Sequence, residues 1–161
     1  MTATIRRHTI SRYLRRSRGT GTLRLRLKPA HQRCGFVQGA WWPRSTVLGT
    51  ELSPLLAAIR TRSGTIERVR YHAGDWSEAG TQPADDVVLD GSSPSPHVVT
   101  LQGPDLGELR LLVVPPYTEP THAYDIVVAA SSVHDSSTPD QLLELSQPEF
   151  GDLLQERPRG R

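Results

Sequence analysis

The sequence predicts one α+β domain, a mostly antiparallel sheet of about five strands covered by two or three helices. Short alternating or fully apolar runs recur at hairpin spacing between Leu23 and Val114. A leucine-rich segment between Leu48 and Ile59 repeats at helical spacing, and two further helical patterns follow the last strand. That order favours an antiparallel sheet with its helices on one face. At 161 residues the chain suits a single core, burying about two-thirds of the surface its unfolded form exposes. Hydrophobic residues make up only 36% of it, so that core is compact and much of the chain is loop.

Residues 1–22 hold Arg6, Arg7, Arg12, Arg15, Arg16 and Arg18 among Thr, Ser and Gly. They have too little apolar surface to offset ordering entropy and are expected to be a disordered basic arm. Ile10, Tyr13 and Leu14 share a helical face, enough for a short amphipathic helix on a partner. The domain itself is expected over residues 23–146. Leu23, Leu25 and Leu27 alternate with Arg24, Arg26 and Lys28, as in a strand with one buried face, and Pro29 ends it. Residues 30–43 carry Phe36, Val37, Trp41 and Trp42, too many apolar groups for a free loop.

Leu48, Leu52, Leu55, Leu56 and Ile59 predict a helical turn, a kink, then a helix from Pro54 to about Arg62, with Ser53 as N-cap and Gly64 as stop. A strand follows over residues 66–71, then a loop over 72–84 bearing Asp75 and Trp76. Residues 87–89 and 98–101 read as short strands separated by the turn signal of residues 91–96. The unbroken Leu109, Leu111, Leu112, Val113 and Val114 predict a central strand buried on both faces, stopped by Pro115 and Pro116. Ala123, Ile126, Val127 and Ala130 mark a second helix. Thr138-Pro139-Asp140-Gln141 is a capping box that opens a third. Residues 147–161 are expected to be a polar tail.

Charge is divided along the chain. The first fifty residues hold eleven cations and no acid, whereas the rest holds all seventeen acids against eight cations. Cys34 is the only cysteine, which excludes an internal disulfide and a multi-thiolate zinc site and points to a reducing, cytoplasmic setting. No apolar run approaches the roughly 18 residues of a membrane span, and nothing near Met1 reads as a secretory signal.

The blocks RLRLKP (residues 24–29), GAWWPRS (39–45) and LLVVPP (111–116), in this order, resemble an actinobacterial family of unknown function, of mycobacterial or streptomycete type. The resemblance covers roughly residues 23–146 and implies a shared fold without an activity. Gln38 stands where the family usually has an acid, and residues 81–96 look shorter and more polar than its pattern. The arginine bias, with Lys28 the sole lysine, fits a GC-rich genome.

No catalytic spacing stands out. The histidines His8, His31, His72, His97, His122 and His134 match no metal-ligand motif, and no cofactor fingerprint or nucleophile elbow is present. The candidate binding residues are Trp41, Trp42, Arg44, Asp75 and Trp76. Of the adjacent tryptophans one can seal the core while the other, with Arg44, offers a platform for a base, a sugar or a proline. Asp75 with His72 could form a polar cluster facing the Trp41 loop. The leading expectation is a non-enzymatic binding or regulatory module whose arm contacts an anionic polymer such as a nucleic acid, or an acidic protein surface. The rival is a small-ligand binder or enzyme with a cleft near residues 39–45.

Overall fold

The structure, a computed structural model, describes residues 16–17, 21–78 and 86–144. The arm residues Arg6, Arg7, Arg12, Arg15 and Arg18, the helical face of Ile10, Tyr13 and Leu14, and the C-terminal tail lie outside the described residues.

Among the described residues eight strands and three α-helices follow in order: β1 (Arg16–Ser17), β2 (Gly21–Thr22), β3 (Leu25–Leu27), β4 (Gly39–Trp41), α1 (Leu48–Ser63), β5 (Arg68–Tyr71), β6 (Val88–Asp90), β7 (Val98–Gly103), β8 (Gly107–Val113), α2 (Pro120–Ala130) and α3 (Pro139–Glu144). Strands β1 and β2 pair as a small antiparallel ribbon, and the other six form one sheet in the order β3-β4-β8-β7-β5-β6. The class is α+β, but the sheet is mixed. Strands β3–β4, β5–β7 and β7–β8 pair antiparallel, while β4–β8 and β5–β6 are parallel.

Two of these strands depart from the sequence reading. Residues 39–41, expected only to pack somewhere, form β4. Its hairpin with β3 is so close that a Cβ on Gly39 would collide with the carbonyl oxygen of Arg26. Gln38 extends the strand by a substitute ladder, its backbone N–H donating to the Arg110 carbonyl and its side-chain oxygen accepting from the Arg110 N–H, both at 2.8 Å. Residues 91–96, expected as a hairpin turn, instead carry the chain from edge strand β6 across β5 to β7.

The first helix also differs. It runs unbroken from Leu48 with Pro54 inside it. An interior proline costs about 3 kcal/mol, but Leu48 and Leu52 in the preceding turns are 0% exposed, and burying two leucines contributes about 3–6 kcal/mol. The carbonyl that Pro54 cannot serve belongs to Thr50, an exposed residue. Gly64, at φ 81°, ends the helix and donates to the Arg60 carbonyl at 3.0 Å.

Helices cover both sheet faces, not one. Under α1 lies a core of Leu25, Trp41, Val69, Val99, Leu101, Leu109, Leu111 and Val113 with the helix's own leucines. Under α2 and α3 lies a second core of Ala40, Trp42, Val98, Leu112 and Val114 with Ala123, Ile126, Val127 and Leu142. Strand β8 feeds both, as its unbroken apolar run predicts. Six strands span about 24 Å from edge to edge. Helix α1 has 16 residues and is about 24 Å long, whereas α2 has 11 and is about 16 Å long. The second core takes Val98 alone from β7 and nothing from β5 or β6.

Local caps follow the sequence at α3: Thr138 and Gln141 exchange reciprocal side-chain bonds at 2.9 and 3.3 Å. Helix α2 is capped by Glu119, whose carboxylate accepts the His122 N–H at 3.1 Å. Lys28 is 2% exposed, and its Nζ donates to the carbonyls of Cys34 at 2.7 Å and Asp135 at 2.6 Å. It thereby joins the β3–β4 connection to the α2–α3 connection.

Leu111→Ala is expected to lower the unfolding free energy by about 2–5 kcal/mol, read by denaturant titration. Glu119 has its carboxyl held below the ordinary value of 4.5, chiefly by the backbone N–H groups of His122 and Thr121. A depressed native pKa means the ionised cap stabilises the fold fully above that ordinary value and loses this contribution as pH falls through the native one. Glu119→Gln is therefore expected to lower the melting temperature at pH 7, with the gap to wild type closing on acidification.

Candidate functional site

Strands β4, β5, β6 and β8 all point the same way. Their carboxyl ends, with the segments entering β3 and β7, gather the sequence-predicted residues at one end of the sheet. Pleating sends Trp41 and Trp42 to opposite faces. Trp41, 1% exposed, packs under α1 with its ring centroid 5.6 Å from that of Trp76. Trp42, 9% exposed, enters the second core, and the Arg24 guanidinium lies 3.5 Å from its ring centroid. Arg24 is held there by bonds from Nε to the Trp42 carbonyl at 2.9 Å and from Nη2 to the Pro43 carbonyl at 2.8 Å.

Arg44 is exposed and tied at both ends. Its guanidinium donates to the Thr22 carbonyl at 2.6 Å and its backbone N–H to Glu51 at 2.9 Å. Glu51, in the first turn of α1, also accepts from the Ser45 hydroxyl at 2.8 Å. The Trp42 and Asp75 loops are then stitched together, the Thr46 hydroxyl donating to Ser77 Oγ at 2.8 Å and the Ser77 N–H to the Thr46 carbonyl at 2.9 Å.

Asp75 does not use His72. Its Oδ2 accepts the backbone N–H of His97 at 2.7 Å, and its Oδ1 lies 3.7 Å from His97 Nδ1. His97 has φ 63°, a left-handed conformation that a side chain adopts at a cost of about 1–2 kcal/mol, and this carboxylate bond holds it. His72 Nδ1 instead meets the Ser93 carbonyl at 3.0 Å. The partner of Asp75 is thus a histidine 22 residues downstream, a pairing that no local spacing reveals. The indole N–H groups of Trp42 and Trp76 are both buried without an acceptor.

A second surface lies on the α2 side of the sheet, beyond the reach of that helix. Register places Arg110, Thr100, Arg70 and Asp90 in one cross-strand row and Glu108, Gln102, Arg68 and Val88 in the next. The side chains of Arg68, Arg70 and Arg110 are 45%, 39% and 40% exposed. Asp90 sits 3.4 Å from Arg68 and 3.6 Å from Arg70. Its carboxyl is held below the usual value, first by the Ser92 hydroxyl and N–H and then by the two arginines. Glu108 lies 3.9 Å from Arg110. At the border of this surface stands Phe36, 38% exposed, with the Arg110 guanidinium 5.7 Å from its ring centroid. None of these arginines belongs to a motif that marks it in the sequence. The signal was available in residues 68–71, RVRY, where cations alternate with buried positions as on an uncovered strand face.

Among the described residues, no group of three or more His, Cys, Asp and Glu is placed to hold a metal ion. No described helix is long and apolar enough to cross a membrane.

The model of a family of unknown function, DUF5994, matches residues 24–130. The chain belongs to that family. No curated protein and no solved structure matches it. The DUF5994 match runs from Arg24 to the end of α2, so it contains both the tryptophan end and the arginine-bearing face. Arg6, Arg7, Arg12, Arg15, Arg16 and Arg18 precede it, and α3 follows it.

Asp75→Ala is expected to destabilise the fold by roughly 1–3 kcal/mol. Amide exchange at His97 should rise with it, and double substitution with His97→Gly should recover part of the loss by removing the backbone strain.

Proposed function

We propose that this DUF5994 protein is a non-enzymatic, cytoplasmic binding module for an anionic partner. The observation that carries this reading is the uncovered half of the sheet, where Arg68, Arg70 and Arg110 project beside one another from β5 and β8. The tryptophan end argues less for a site of chemistry. Trp41 and Trp42 are core residues, Asp75 serves the His97 backbone, and Arg44 secures the β2 segment. In this reading the basic arm of residues 1–22 adds long-range attraction to a domain over residues 23–146 that ends in a polar tail, and the arginine-rich chain is of actinobacterial origin.

The test is binding of the full-length protein to heparin across a salt series. Affinity is expected to fall linearly on logarithmic axes, and Arg68→Ala with Arg70→Ala and Arg110→Ala to reduce the slope by about one unit per arginine. Replacing Arg6, Arg7, Arg12 and Arg15 by Ser measures the arm's share. Salt-independent binding, or none, overturns the reading.

One observation favours a second reading, a small ligand beside Trp42 at the carboxyl end: its indole N–H, buried without an acceptor. A small carboxylate or phosphate that raises the melting temperature of the wild type but not of Trp42→Phe would support it. The absence of any such shift would remove it.

A further inference from the structure

We infer that the anionic partner is a single-stranded nucleic acid, lying across the uncovered half of the sheet with a base stacked on Phe36. This rests on the reading of the domain as an anion-binding module and names the chemistry of its partner. Shape makes the first choice. The sheet is about 24 Å wide, too broad for a major groove of about 12 Å, so it is no reader of duplex bases. A single strand has no such restriction, since its bases splay onto a sheet and stack on aromatic side chains while its phosphates meet cations.

The face supplies those parts together. Arg68 and Arg70 lie two residues apart on β5, about 7 Å, and Arg70 and Arg110 two strands apart, about 10 Å. Between them on β7 lie Thr100, which is buried, and Gln102, whose side-chain amide donates to Glu108 at 3.1 Å. Phe36 adds a ring with one-third or more of its surface open, beside the Arg110 guanidinium. An acidic protein segment would use the arginines and leave that ring idle, whereas every nucleobase has a face to stack on it. Asp90 and Glu108 are internal competitors, Glu108 standing 3.9 Å from Arg110; Asp90 is the closer. It is anchored by Ser92 at 2.6 and 3.0 Å and stands against Arg68 and Arg70 where a phosphate would lie.

The experiment titrates the full-length protein with fluorescent oligo(U) and oligo(dT) of about twelve nucleotides, with a duplex, heparin and polyglutamate as parallel probes. Expected is binding of the single strands ahead of the duplex, with Phe36→Ala weakening them by at least about fivefold and leaving heparin unaffected. Phe36→Trp is expected to keep the affinity and to show indole quenching on binding. Asp90→Asn is expected to tighten both oligonucleotides, and the ratio of oligo(U) to oligo(dT) affinity tells whether the sugar is read. If heparin or polyglutamate binds as tightly as the oligonucleotides and Phe36→Ala changes nothing, this inference is overturned and the anion-binding reading stands. If the duplex binds as well as the single strand without dependence on Phe36, the inference falls likewise. If no polyanion binds, both fall.

Discussion

Strand β8 imposes the constraint from which the architecture follows. Leu109, Leu111 and Val113 face one way and Leu112 and Val114 the other, and all five are essentially without solvent exposure. A central strand apolar on both sides needs cover on both. Helix α1 provides it on one face along the full width of the sheet, and α2 with the short α3 provides it on the other only over β4, β8 and the start of β7. The partial cover on that second face leaves the exposed half-face. Polar residues occupy that half because nothing among the described elements buries it, and their cross-strand registry turns scattered arginines into a surface.

Much of this was legible in the sequence where local chemistry decides local structure. The leucine and arginine alternation of residues 23–28 became β3 and its flanking residues, the apolar run became β8, and the Thr138 capping box formed as written. What escaped depended on partners distant in sequence. Three residues of β4 carry no strand signal of their own and exist because β3 and β8 supply both ladders. Pro54 looked like a helix start because propensity is local, while the burial of Leu48 and Leu52 that overrides it is tertiary. The parallel placement of β6 is a matter of crossover, and turn residues between two strands do not tell which neighbour each will find.

The same division holds for the candidate residues. The loops bearing Trp41, Trp42, Arg44, Asp75 and Trp76 meet at one sheet end, with Trp42 on the face opposite Trp41 and Trp76. Sequence could not tell that the polar groups of Arg44 and Asp75 are consumed there by Thr22, Glu51 and His97. Motif-like residues drew attention for rarity of type, and tryptophan is rare chiefly because it is large, which suits a core as well as a site. The arginines of β5 and β8 are ordinary in type and informative only in position.

Lys28 has a consequence of another kind. It is the chain's only lysine, and its ammonium is enclosed between the Cys34 and Asp135 carbonyls. The folded domain therefore shows its surroundings no ε-amine at all. Enzymes that acylate lysine or conjugate a protein tag to it find no handle on the native state. A mark at this position would record that the domain had opened, which makes the residue a reporter of unfolding rather than a point of control.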